Sequence, residues 1–109
     1  MSSSTRRVQQ GQQSQGSREE VAYTLTTTPW GSSPNAVEVT VYDVTAARGD
    51  DNWTDVTSTT TSGMASTVGD VITTPLIIGL TPGKLYRVEI AFRTGAQRFV
   101  AWLEIRAER

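Results

Sequence analysis

Leu80-Thr81-Pro82-Gly83-Lys84-Leu85-Tyr86-Arg87-Val88 is the stretch on which the fold turns. A leucine enters a core, Pro-Gly reverses the chain, and a tyrosine at the start of the next strand can return its hydroxyl to a backbone group a few residues upstream. Leu80, Pro82, Gly83 and Tyr86 are therefore expected to form a tyrosine corner, a device that carries the chain between two facing sheets and performs no chemistry. Downstream, Tyr86, Val88, Ile90 and Phe92 alternate with Leu85, Arg87, Glu89, Ala91 and Arg93. Thr94-Gly95-Ala96-Gln97 supplies a turn, after which Phe99, Ala101, Leu103 and Ile105 alternate with Val100, Trp102, Glu104 and Arg106. This period of two predicts a long antiparallel hairpin with one buried face. Trp102 falls on the face opposite Phe99 and Leu103, where it is exposed or covered by a partner.

Working back from the corner, the same period recurs in shorter runs separated by turn residues. Val37, Val39 and Val41 alternate with Glu38, Thr40 and Tyr42, which turns the valines inward. Val21, Tyr23 and Leu25 share one face of a run that ends at Pro29-Trp30-Gly31-Ser32-Ser33-Pro34. Trp53 to Thr60 is expected to be a strand, and Ser62 to Asp70 a loop or short strand. Val71 to Ile78 contains Pro75, which marks an edge strand, a break or a strand that changes sheets. No helical period of useful length occurs. Strand-like runs every ten or so residues define an all-β fold, and with the corner they point to an immunoglobulin-like (fibronectin type III-like) β-sandwich of about seven strands over residues 20–109.

Residues 1–19 read differently. Up to Ser17 the only sizeable apolar side chain after Met1 is Val8, among Ser, Gln and Gly, so the segment buries no core of its own. Its basic charges are Arg6, Arg7 and Arg18, with no acid before Glu19, whereas residues 19–109 hold seven cations against eleven acids. It is expected to be an extended, basic N-terminal arm, dispensable for folding, that docks on neighbouring subunits through those arginines and by adding its backbone to exposed strand edges.

Composition removes many functions. The 109 residues leave room for one domain. With neither His nor Cys, nucleophile–histidine catalysis, His/Cys zinc sites and disulfides are all excluded. A net charge of −1 supplies no broad basic field for nucleic acid, and no run approaches the roughly 20 apolar residues that cross a bilayer. The expectation is a protein that is not an enzyme, has no cofactor or metal, and binds neither nucleic acid nor membrane.

Individual motifs carry little more. Arg48-Gly49-Asp50 spells an adhesive tripeptide and Asn52-Trp53-Thr54 a glycosylation acceptor, and both read as ordinary loop sequence. Asp43, Asp50, Asp51 and Asp55 lack the Gly and distal Glu of a calcium loop. Glu38, Glu89 and Glu104 alternate with Thr and Arg on outward faces, the pattern of solvated cross-strand charges rather than an acid–base pair. Trp30, Trp53 and Trp102 are the better functional candidates. Together with the Asp50/Asp51 loop they define the alternative reading, a carbohydrate- or cell-surface-binding module.

The runs Glu20–Pro34, Val41–Thr45, Gly69–Pro75, Gly79–Phe92 and Leu103–Arg109 together resemble small Ig-like proteins encoded among the virion structural genes of tailed bacteriophages and prophages. The resemblance covers about residues 19–109 and leaves out the arm. It implies a non-enzymatic accessory subunit of the virion, assembled in the host cytoplasm and serving capsid decoration or cement, neck, or fibre attachment. Its implied partners are major capsid, neck or tail subunits and symmetric copies of itself. Arg6, Arg7, Arg18 and Trp102 are the expected partner-binding residues.

Overall fold

The computed structural model describes residues 3–45 and 53–109, with residues 3–12 as backbone. In chain order the elements are β1 (Ser3–Gly16), β2 (Thr24–Thr26), β3 (Asn35–Asp43), β4 (Thr54–Asp55), α1 (Thr57–Thr60), β5 (Thr61–Ser62), β6 (Ser66–Val68), β7 (Val71–Thr73), β8 (Leu76–Ile77), β9 (Leu85–Thr94) and β10 (Gln97–Glu108). They build a five-stranded sheet ordered β1-β10-β9-β3-β4, a three-stranded sheet β2-β7-β6 and a two-stranded sheet β5-β8. An antiparallel bridge between Val21 and Ile77 ties the smallest sheet to the approach to β2. The fold is all-β and sandwich-like.

The hairpin β9–β10 is the spine. Its register pairs Phe99 with Phe92, Ala101 with Ile90, Leu103 with Val88 and Ile105 with Tyr86, and each of these residues is buried. Gly95, at φ +60°, and Ala96 make the two-residue connection; a positive φ at the first loop position is what a tight hairpin turn demands. β3 pairs antiparallel with β9, Val41 opposite Val88 and Val39 opposite Ile90. Leu25, Ile72, Ile77 and Leu80 close the core from the other sheets. Burying a side chain of this size contributes about 1.5–3 kcal/mol, so these paired strands dominate stability. At the corner, the Tyr86 hydroxyl accepts a hydrogen bond from the Thr81 N–H at 2.9 Å, and Tyr86 and Leu80 are both buried. Pro82 and Gly83 form the exposed turn between them, and the Gly83 N–H donates to the Ala107 carbonyl at 2.9 Å.

Four expectations need correction. The segment read as an arm is part of the sheet: β1 pairs in parallel with β10, Ser3–Arg7 against Arg98–Trp102 and Gln12–Gly16 against Glu104–Glu108, with a register shift between Arg7 and Gln12. Composition missed it because ladder hydrogen bonds are made by the backbone, whatever the side chains. One side chain also helps. Gln15 is 1% exposed; its Nε2 donates to the Ile77 carbonyl at 2.7 Å and the Glu19 carbonyl at 3.0 Å, while its Oε1 accepts from the Tyr23 hydroxyl at 2.8 Å. A glutamine thus joins β1 to the opposite layer.

The strand expected over Trp53 to Thr60 is instead the two residues of β4 followed by one helical turn. Asp55 Oδ1 accepts from the Thr57 N–H at 3.0 Å and hydroxyl at 2.7 Å, and the Thr59 and Thr60 hydroxyls donate to the Val56 carbonyl. Such local side-chain bonds draw the backbone away from a ladder. The run expected from Val21 to Thr28 is regular strand only over Thr24–Thr26. Finally, ten strand segments are present among the described residues rather than about seven. Part of the excess arises at Pro75, where the chain leaves β7, paired with β2, and continues as β8, paired with β5.

Candidate interaction face on the five-stranded sheet

The outward face of the five-stranded sheet collects side chains far apart in sequence. Because the valines of β3 turn inward, Tyr42 turns out; because Tyr86 and Val88 turn inward, Arg87 turns out; because Ala101 and Leu103 turn inward, Trp102 turns out. The register sets Tyr42 opposite Arg87 and Trp102 opposite Glu89. Trp53, just before β4, arrives from the side. The Arg87 guanidinium lies 3.9 Å from the Trp102 ring centroid and 4.7 Å from that of Trp53, between the two indoles. Tyr42 packs on Trp53 with centroids 5.6 Å apart. Arg87 Nε donates to Glu89 Oε2 at 2.9 Å, which fixes the plane of the guanidinium, and the Arg87 side chain is only 15% exposed.

Carboxylates surround this stack. Burial first, then the charges of Glu89, Asp55 and Glu38, push the Tyr42 phenol above its ordinary pKa, with Arg87 opposing. Glu38 stands 3.9 Å from Arg98 and remains largely solvent-exposed. The result is an aromatic surface that holds one clamped cation, with the carboxylates of Glu89, Asp55 and Glu38 near Tyr42. Trp, Tyr and Arg together are the side chains that dominate binding energy at protein interfaces.

The sequence-predicted residues are only partly brought together. Trp102 and Trp53 meet across Arg87, whereas Trp30 packs on the core ring of Phe92 at 5.8 Å and takes no part in this face. Arg6 and Arg7 lie on β1 in register with Ala101 and Trp102. Arg18 sits beyond the end of β1, where it and Arg109 line two open clefts of about 400 and 550 Å³. Arg48, Gly49, Asp50, Asp51 and Asn52 lie outside the described residues. Of the remaining aspartates, Asp43 is held by Lys84 Nζ at 2.9 Å and by Thr45, and Asp55 by Thr57. Among the described residues no group of three or more potential metal ligands gathers. Sequence reasoning missed Tyr42 and Arg87 as members of the face. The alternation that turned them outward was legible, but which outward residues of separate strands become neighbours depends on register.

Comparison of the chain with protein-family models, with curated proteins and with solved structures finds no match.

Proposed function

We propose that the chain is an immunoglobulin-like, non-enzymatic structural subunit of a bacteriophage virion, an accessory protein of the capsid-decoration, neck or fibre-attachment type. The Ig-like reading draws support from the strand order: β10-β9-β3-β4 with β1 in parallel on β10, facing β2-β7-β6, follows the division of strands between the two sheets of that class, and Tyr86 makes the corner contact. The observation that carries a binding role is the outward Tyr42–Trp53–Arg87–Trp102 stack. Its content of Trp, Tyr and Arg suits a protein surface, and repetition in many symmetric copies makes a modest contact sufficient. A sugar-stacking role is less well served, because Arg87 already fills the space between the two indoles.

The test is co-sedimentation of the purified protein with virions encoded by the same genome, beside a glycan array. Binding to particles, weakened about tenfold or more by Trp102→Ala, supports the reading, since a central aromatic anchor is worth this much or more. Glycan binding without particle binding overturns it in favour of the carbohydrate-binding module.

A further inference from the structure

The two margins of the five-stranded sheet are chemically unlike, and each has an unused side. On one margin, β1 pairs in the sheet with β10 alone among the described residues, and the far side of its ladder is met only at its end, where Glu19 bonds both backbone groups of Gly16. This is the segment with Arg6 and Arg7 and no acid. On the other margin, β4 covers β3 only at Tyr42 and Asp43. Val41 is satisfied by the Val56 N–H and the Thr57 hydroxyl. Val39, two residues earlier, directs its N–H and carbonyl to the same side by strand alternation, and among the described residues neither has a partner there. Along this edge lie Glu38, largely exposed although Arg98 stands 3.9 Å from it, and Asp55, near Tyr42 and Trp53. A basic edge and an acidic, aromatic edge therefore terminate the same sheet.

We propose that these margins are complementary halves of one self-interface, in which the N-terminal strand of a second copy docks along β3 at Val39, its arginines received by Glu38 and Asp55. The occupant is a second copy because the chain itself carries the matching charge on the opposite margin, and strand addition needs only an open ladder on each side. Such a contact is heterologous: one copy's β1 meets the next copy's β3, so it builds a ring or an open row rather than a two-fold dimer. The proposal deepens the partner side of the function above, and it is read on the isolated protein, so it fails or stands independently of particle binding.

The experiment measures the mass of the full-length protein by sedimentation equilibrium at low and high salt. Five chains are compared: wild type, Arg6→Glu/Arg7→Glu, Glu38→Lys, the combination of these three changes, and Val39→Pro. The wild type is expected to self-associate with concentration, less so in salt. Either charge reversal should weaken association about tenfold or more, and the combination should restore it, as charge pairs across an interface require. Val39→Pro removes the outward N–H and leaves the pairing with β9 intact, so it should weaken association while circular dichroism stays that of the folded protein. A wild type that is monomeric throughout would overturn the proposal. So would association lost on N-terminal reversal yet indifferent to Glu38→Lys and Val39→Pro, the signature of exchange of β1 onto another copy's β10.

Discussion

Tyr86 shows how much one atom can hold. Its ring is core, and its hydroxyl is the acceptor for the Thr81 N–H, so Tyr86→Phe keeps the shape and strands a donor. Denaturant unfolding should show a loss of about 1–3 kcal/mol; a change within a few tenths would mean that the Thr81 N–H is satisfied by water at no cost. Asp43 acts at the other end of the same turn, joining β3 to Lys84. Burial works against its ionised form, but hydrogen bonds from Lys84 and Thr45 outweigh burial and hold its pKa below the ordinary value. A carboxylate with a depressed folded-state pKa stabilises the fold above its unfolded value, about 4, and that contribution disappears as pH falls through the folded value. Lys84 is raised, by the hydrogen bond and then the charge of Asp43, so its share is present below its ordinary pKa and is lost only as pH rises above it. Asp43→Asn should therefore lower the unfolding midpoint at neutral pH and flatten its decline in acid, measured by thermal melts from pH 7 to about pH 3.

Among the elements, β9 is the one whose two faces have different tasks. Ile90 is fully buried against β3 and β10, so Ile90→Ala should cost about 2–5 kcal/mol in denaturant unfolding. Glu89 lies on the outward face, bonded to Arg87, and Glu89→Ala should cost less than about 1 kcal/mol. It should nevertheless release the guanidinium from its fixed plane and blunt any binding made through the stack. If Glu89 proved the more sensitive position for stability, the register of the whole strand would have to move by one residue. β1 is the opposite kind of element. Its ladder with β10 is long, but the described side chain that anchors it is the single buried Gln15, near its C-terminal end.

For the molecule as a whole, that arrangement changes what truncation should do. Removing residues 1–8 takes away the pairing of Ser3–Arg7 with Arg98–Trp102 at the sheet margin and should shift the unfolding midpoint little. Removing residues 1–18 also deletes Gln15, leaving the Ile77 carbonyl and the Tyr23 hydroxyl without their partner. The longer truncation also uncovers the remainder of the β10 edge, Glu104–Glu108, so the loss should reach about 2 kcal/mol or more, with a rise in aggregation from the exposed ladder. Comparing the two truncations by denaturant unfolding and light scattering separates them. Full-length stability in both would return residues 1–18 to the status of an arm with no part in the fold.

The alternation in Val37–Val41, Tyr86–Phe92 and Phe99–Ile105, with the turn at Gly95 and the corner at Pro82-Gly83, is legible in the amino-acid sequence itself, because strand period and turn chemistry are local properties of the chain. The all-β fold and the core of the hairpin follow from them. Three things are decided only in three dimensions. The pairing of β1 is hidden because a backbone ladder leaves no mark on composition, and the buried anchor among its described side chains is a glutamine. The turn of helix at Thr57–Thr60 wins over a strand because Asp55 and the threonine hydroxyls offer nearer partners than a neighbouring strand could. The stack of Tyr42, Trp53, Arg87 and Trp102 exists because register sets those positions side by side, and register is settled by how the buried faces of separate strands fit together, a property no single strand contains.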